Sequence, residues 1–336
     1  MSKVLLIAPS FFGYRDSVAD VLRSQGEEVT VVNDRPSEGF LFKAAGKINY
    51  NLAERKIDAY SQDLARLVGK GVFARLIYMG GMSFCFSRKQ MERIRSASDA
   101  CFVAYLWDSL RNCQRFGGAI DCFDDIVSFD PGDCVHRITL RPLFYRNALA
   151  EVSRVPEGGF EYDACFVGTV HQISKFKSVL RICETLEAEG RRVFKYFYVP
   201  GRSVALFRSF SERAYWRGDL KFKPLPPEEL GDIYRKSKAI IDAPQMGQRG
   251  LTMRAIESVG LKRKLITTNR DVLNYDFAQE GRVLVFDDSK KVPRGFFDTP
   301  YLGLPPTVYE SYSIDVFAKT LMGRASAYEG YRYEGI

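Results

Sequence analysis

The stretch AIIDAPQMGQRGLTMRAIESVGLKRKLITTN, residues 239–269, decides how the rest of the chain is read. Ala239-Ile240-Ile241 is an apolar run of the buried kind, stopped by Asp242 and Pro244, and Lys264 to Thr268 has the β-branched content of a second strand. Between them the spacing of Leu251, Ala255, Ile256 and Val259 predicts a helix with one apolar face, ended by Gly260. The unit is therefore strand, glycine-bearing loop, helix, strand. Gly247 and Gly250 let the loop backbone come close to a ligand. The amides of Gly250, Leu251 and Thr252, with the helix dipole behind them and the Thr252 hydroxyl beside them, suit a phosphate or diphosphate. Glu257 lies seven residues beyond Gly250, on the same helix face and about 10 Å along the axis. Its carboxylate is spaced to accept both hydroxyls of a ribose while the diphosphate meets the helix N-terminus. The competing reading is an ordinary βαβ unit whose glycines make turns and whose glutamate is solvated.

The chain has 336 residues and 46% hydrophobic content, enough for a large core and for two domains. Its apolar runs are too short to cross a bilayer, and Lys3 to Pro9 is not followed by the long apolar region of a signal peptide. A cytoplasmic protein is expected. Seven scattered cysteines without a CxxC pair argue for reduced thiols, and two histidines, His136 and His171, are too few for an imidazole metal centre. The acidic pairs Asp124-Asp125 and Asp287-Asp288 lack DxD spacing, so no metal is expected. The net charge of +8 is spread over the chain, residues 1–150 holding 20 basic and 17 acidic side chains. That leaves no basic stripe for nucleic acid. A surface that visits anionic lipid and a merely solvated surface both fit it.

On either side of the central stretch the same alternation recurs. Lys3 to Ala8 is a strand, a helix runs to about Gln25 and stops at Gly26, and Glu28 to Val32 is the next strand. The first loop, Pro9 to Tyr14, has no GxGxxG and is aromatic, which suits an acceptor pocket better than a pyrophosphate. Residues 51–69 read as an amphipathic helix, Phe73 to Met79 as a strand ending in Gly80-Gly81, and Ser87 as the cap of a helix to about Arg95. Cys101 to Trp107 is a buried strand with Asp108 and Ser109 at its carboxyl end, where open α/β sheets bind ligands. Periodicity lapses from Ala148 to Phe160, and the domain boundary is expected there. A second βα series starts at Tyr162 to Thr169, with a helix over about Ser174 to Glu189. Pro226-Pro227-Glu228-Glu229 opens another helix, and residues 310–323 read as a last one.

The segments SFFGYRDSVADVLRSQGEEV (10–29), YLWDSLRN (105–112), IVSFDPGDC (126–134), CFVGTVH (165–171), LPPEELGDIYRKSKAIIDAP (225–244) and QRGLTMRAIESVGLKRKLITTN (248–269) together resemble the GT-B class of glycosyltransferases. Within that class the chain is similar to bacterial capsule, exopolysaccharide and lipopolysaccharide enzymes related to the CgeB group. The resemblance implies an α/β fold of two Rossmann-like domains facing a cleft. Residues 1–150 would bind the acceptor, residues 151–308 the nucleotide sugar, and a C-terminal helix in 309–336 would cross back to the first domain. It also implies transfer of a sugar, with a UDP-sugar the favoured donor, to a glycan or lipid-linked acceptor at the cytoplasmic face of the membrane, with no cofactor. Retaining enzymes of this class often carry two glutamates eight positions apart. Here Glu257 matches the second and Arg249 stands at the first, where it could neutralise the donor diphosphate, so inversion is expected.

For an inverting transfer the candidate general base is Asp108, whose alternative role is a turn or helix cap. Asp16 and Tyr14 near the first loop are the other candidates, Asp16 also suiting a first helical turn. Phe12, Gly13 and Trp107 are the expected acceptor contacts. On the donor side the resemblance points to Gly168 and Thr169, with His171 and Lys175 in reach, and to Lys223 and Leu225, whose backbone would read the base. Arg249, Gly250, Leu251, Thr252 and Glu257 complete that set. A nucleotide-sugar epimerase or hydrolase and a non-catalytic sugar-nucleotide binder share the scaffold.

Overall fold

The computed structural model describes residues 1–10, 13–37, 51–135, 137–170, 172–201, 219–289 and 291–333. The chain forms two compact units, Met1–Pro142 with Ile314–Tyr328, and Leu143–Ser313 with Glu329–Ile336.

The first unit is built on strands β1 (Lys3–Ile7), β2 (Glu28–Val32), β3 (Arg75–Gly80), β4 (Cys101–Leu106), β5 (Asp125–Ser128) and β6 (Ile138–Leu140). All pair in parallel, in the order β2-β1-β3-β4-β5-β6. A parallel sheet is covered on both faces, which is why its central strands are apolar at nearly every position. Val4 to Ala8, Leu76 to Met79 and Phe102 to Leu106 are accordingly buried throughout. The helix Arg88–Arg95 starts in a capping box, Ser87 Oγ accepting from Gln90 N at 3.4 Å and Gln90 Oε1 accepting from Ser87 N at 2.9 Å. Two otherwise orphaned amides are satisfied there, worth about 1 kcal/mol. The helix Tyr14–Ser24 ends where Gly26 turns left-handed at φ 94°. The last helix, Ile314–Leu321, packs on this unit: the Phe317 ring meets Tyr105 edge-on at 4.7 Å, and Arg75 Nη1 donates to the Leu321 carbonyl at 2.8 Å. The single helix expected over 310–323 is in fact two, Pro306–Ser311 and Ile314–Leu321. They part at Tyr312 and Ser313, because the Tyr312 hydroxyl bonds to Asp276 and the Tyr312 carbonyl accepts from Tyr145 N.

The second unit carries β7 (Tyr162–Thr169), β8 (Val193–Tyr198), β9 (Leu220–Lys221), β10 (Ser237–Asp242), β11 (Lys264–Thr267) and β12 (Val283–Val285). They are also all parallel, in the order β12-β11-β10-β7-β8-β9. The helix Ile173–Ala188 buries Phe176, whose ring meets Phe197 of β8 edge-on at 5.2 Å, over a core that includes Phe166, Val179 and Ile241. Burying each such side chain contributes about 1.5–3 kcal/mol. The units divide at Pro142, upstream of the stretch from Ala148 to Phe160. Tyr145 already belongs to the second unit, since its ring fills the space where a Cβ on Gly260 would stand 2.4 Å away. Gly260 is therefore bare to admit an aromatic ring, and the left-handed residue after its helix is Lys262 at φ 52°.

Both sheets start in the middle. β1 lies between β2 and β3, and β7 lies between β8 and β10, so each sheet has a switch point where successive connections leave in opposite directions. Crevices form at the carboxyl ends of strands at such points.

Candidate functional site

At the switch point of the second unit β7 ends in Gly168-Thr169 and β10 ends in Asp242. Arg254, second residue of the helix Met253–Gly260, spans the two strands. Its Nη1 donates to Asp242 Oδ1 at 2.7 Å, its Nε donates to the Val167 carbonyl at 3.1 Å, and its guanidinium lies 4.6 Å from the Phe166 ring centroid. A side chain at 168 would block this, because a Cβ there would stand 2.1 Å from Arg254 Nη2. Lys175, in the first turn of the helix Ile173–Ala188, faces the same charges. Burial, with the Arg254 charge adding to it, pushes its ammonium down to about 8 against the opposing pull of Asp242. Glu257 is buried, with Arg146 Nη2 3.9 Å from its Oε1, and it acts together with burial to raise the Tyr234 hydroxyl. Arg254, Lys175 and Arg146 thus gather near Asp242 and Glu257. Chemically, cations fixed at a strand end suit an anion, and the low ammonium value marks a lysine held largely out of water.

The loop before that helix differs from expectation. Thr252 is the N-cap, with Oγ1 accepting from Ala255 N at 3.2 Å, so the helix begins at Met253 and not at Leu251. Threonine is a favoured cap, and its extended backbone, φ −70° and ψ 162°, cannot be part of a helix. The amides of Gly250, Leu251 and Thr252 therefore precede the first helical turn, and Gly250 does not share a helix face with Glu257. Arg249 is already neutralised, with Nε and Nη2 donating to Asp271 Oδ1 at 3.1 and 2.9 Å and Nη2 also to the Tyr331 hydroxyl at 2.9 Å. Lys223 is exposed and its carbonyl accepts from the Tyr196 hydroxyl at 3.0 Å. Leu225 lines a groove of about 630 Å³ with Tyr196, Lys221 and Glu228.

In the first unit Asp108 sits beyond the end of β4, its Oδ2 accepting from Met82 N at 3.0 Å. Gly81 lets it approach, since a Cβ there would fall 2.2 Å from Oδ2. Burial raises its carboxyl above the usual range, and the Met82 amide opposes that. The next two residues are tied down: Ser109 Oγ bonds to buried Asp130, and Leu110 N donates to Asp133 Oδ2 at 2.9 Å. Trp107 beside it is half-buried, its amide donating to the Gly80 carbonyl. Gly13, at φ 73°, caps the helix whose first residue is Tyr14, and Asp16 is exposed and bonded to Arg15 Nε at 2.9 Å. Phe12 and His171 lie outside the described residues.

Gly168, Lys175 and Glu257 are thus gathered around one charged cluster, with Thr169 next to Gly168 at the end of β7, while Arg249 belongs to a separate network and Lys223 and Leu225 to the β8–β9 side. Arg254 and Asp242 are the members that spacing alone does not single out. Among the described residues, no group of three or more His, Cys, Asp or Glu side chains is placed to hold a metal, and no helix is long and apolar enough to cross a membrane.

No protein-family model matches the sequence, and no curated protein matches it. The likeness to known proteins is in the fold. A glycosyltransferase from Rickettsia africae superposes with a TM-score of 0.60 at 10% identity, over 96% of this chain and 99% of the other. The catalytic domain of starch synthase IV from Arabidopsis thaliana, bound to ADP and acarbose, does so with 0.58 at 9%, over 96% and 98%. HepE from Anabaena, in complex with UDP and glucose, gives 0.53 at 8%, over 96% and 97%. Two parallel six-stranded sheets with interleaved helices, the two Rossmann-like domains of the GT-B class, are the shared feature.

Proposed function

We propose that this chain is a glycosyltransferase that moves a sugar from a nucleotide-sugar donor to a glycan acceptor. The observation that carries the reading is the pair of cations, Arg254 and Lys175, packed at the β7–β10 switch point beside Asp242. As the bond from the anomeric carbon to the donor diphosphate breaks, negative charge builds on the leaving oxygens. Cations already fixed in a half-dry site stabilise that charge without reorganising. Glu257 is the proposed partner of the ribose hydroxyls, and the Leu225 groove the proposed seat of the base. The solved relatives by fold bound to ADP or to UDP support a nucleoside diphosphate as the leaving group, and a UDP-sugar is the preferred donor.

Asp108 is the proposed base. Burial weakens its acidity, which makes it a better proton acceptor for an acceptor hydroxyl near neutral pH than an ordinary aspartate. Asp16 is the weaker candidate, being exposed and ion-paired in a first helical turn, and Tyr14 stands beside it. Inversion, independence from metal, a lipid-linked acceptor in cell-surface polysaccharide synthesis, and transient contact with anionic lipid belong to the same proposal. The mildly basic surface supports the last of these.

Incubation of the intact protein with labelled UDP-, GDP- and ADP-sugars, lipid-linked and free glycan acceptors, and excess chelator tests it. Labelled glycan is the expected product. Isomerised donor would assign an epimerase, free sugar a hydrolase, and an unconverted donor that still binds a sugar-nucleotide binder without catalysis.

A further inference from the structure

Beyond its last helix the chain returns to the second unit and ties itself to the loop that leads into the Met253–Gly260 helix. Tyr331 pairs with Tyr275 in an antiparallel bridge, Asp276 N donates to the Gly330 carbonyl at 2.7 Å, and Arg332 N donates to the Asn274 carbonyl at 2.8 Å. The Tyr331 ring is buried edge-on against Tyr275, 5.0 Å between centroids. This brings one hydroxyl to the centre of a polar network. Tyr331 Oη directs its proton to Asp271, 3.0 Å from both carboxylate oxygens, and accepts from Arg249 Nη2 at 2.9 Å and from Asn274 Nδ2 at 3.4 Å.

Asp271 in turn takes both the Nε and Nη2 of Arg249, and its own amide donates to Asn269 Oδ1 at 3.1 Å. Asn269 Nδ2 closes the circuit by donating to the Arg249 carbonyl at 2.9 Å. Arg249 is therefore gripped at its guanidinium and at its backbone, three residues ahead of the Thr252 cap and five ahead of Arg254. A guanidinium held in this way is oriented toward Asp271 and Tyr331. Its geometry is that of a clamp.

We infer that the C-terminal segment Glu329–Tyr333 is a working part of the donor site, with Tyr331 a positioning residue that holds Arg249 and, through it, the Gly247–Thr252 approach to Arg254. This rests on the donor reading above. The strap holds the chain at Arg249, three residues ahead of the Thr252 cap, and so lowers the ordering cost of binding a nucleotide. The charged partners on both sides of the Tyr331 hydroxyl make its bonds stronger than neutral ones.

Tyr331→Phe removes the hydroxyl and keeps the ring on Tyr275. Two measurements on the intact chain test the inference: amide exchange of Gln248 and Asp271, whose amides donate to the Gln245 carbonyl and to Asn269 Oδ1, without ligand, and calorimetric titration with UDP, GDP and ADP. The variant is expected to exchange those amides about 10-fold faster, and to bind the preferred nucleotide about 10-fold more weakly, with a melting temperature lowered by a few degrees. Unchanged loop exchange would overturn the clamp. Wild-type binding matched by the variant would overturn the strap's part in the donor site while leaving the donor reading intact. A wild-type chain that binds none of the three nucleotides would instead overturn the donor reading, and with it the site the strap serves.

Discussion

Lys175→Met removes the ammonium and keeps the length of the side chain, and it should make the folded protein more stable while making it a poorer binder. The ordinary lysine value is 10.5, and burial beside Arg254 brings Lys175 to about 8. The gap corresponds to about 3 kcal/mol of destabilisation of the charged form. Because the folded value lies below the unfolded one, the unfolded chain binds more protons between about pH 8 and 10.5. Stability therefore rises with pH through that window, and below about pH 8 the full cost is present. The variant should gain about 1–3 kcal/mol at pH 7, and the gap to wild type should close by pH 10.5. Denaturant melts at pH 7 and near pH 10 measure both. In parallel, nucleotide affinity should fall about 10-fold or more at pH 7, and its decline with rising pH should vanish. A variant that is less stable than wild type at pH 7, or that binds nucleotide equally well, would refute the idea of a lysine kept under strain for an anion.

Gly168→Ala puts a Cβ 2.1 Å from Arg254 Nη2, so the guanidinium must leave the buried Asp242 carboxylate it pairs with, at a cost of about 3–5 kcal/mol in stability. Calorimetry on the folded variant should also show a loss of about 2 kcal/mol of nucleotide affinity, and equal affinity would mean that Arg254 does not touch the ligand. Asp108→Asn cannot accept a proton, so turnover should fall about 10²- to 10⁴-fold with donor affinity nearly unchanged. Normal turnover in that variant, with loss in Asp16→Asn or Tyr14→Phe, would move the base to the first loop. Glu257→Ala should weaken nucleotide binding by about 1–3 kcal/mol, and titration heats identical to wild type would end its ribose role.

The α/β alternation is legible in the chain because strands buried on both faces must be apolar at every position. Cys101 to Leu106 and Val4 to Ile7 stand out for that reason. Ser87 is readable as a cap because its partner Gln90 lies at the required spacing. Ile138–Leu140 is not readable, since a three-residue edge strand with an exposed Thr139 carries no periodicity. The start of the central helix is misjudged by two residues because Leu251 fits the apolar pattern and is buried, although Thr252 holds the cap. The break at Tyr312 is invisible for a different reason: it depends on Asp276 and Tyr145, far away in sequence. The same holds for the charged cluster at the end of β7. Asp242 and Arg254 are unremarkable singly, and they meet Gly168 only because β7 and β10 are neighbours while the helix after β10 starts over both. Gly168 is conspicuous at a strand end, and the reason it must be bare is the guanidinium above it.

Titration of the intact chain with UDP, GDP, ADP, CMP and dTDP at pH 8.5, repeated in buffers of different ionisation enthalpy, tests the central claim most directly. A diphosphate entering between Arg254 and Lys175 should bind with net uptake of protons, because it restores the Lys175 ammonium that is partly neutral at that pH. One nucleoside diphosphate, UDP by preference, is predicted to bind with such uptake, and the uptake should disappear in Lys175→Met. Failure of every nucleotide to bind at millimolar concentration, or binding whose proton count is the same in the variant, would contradict it.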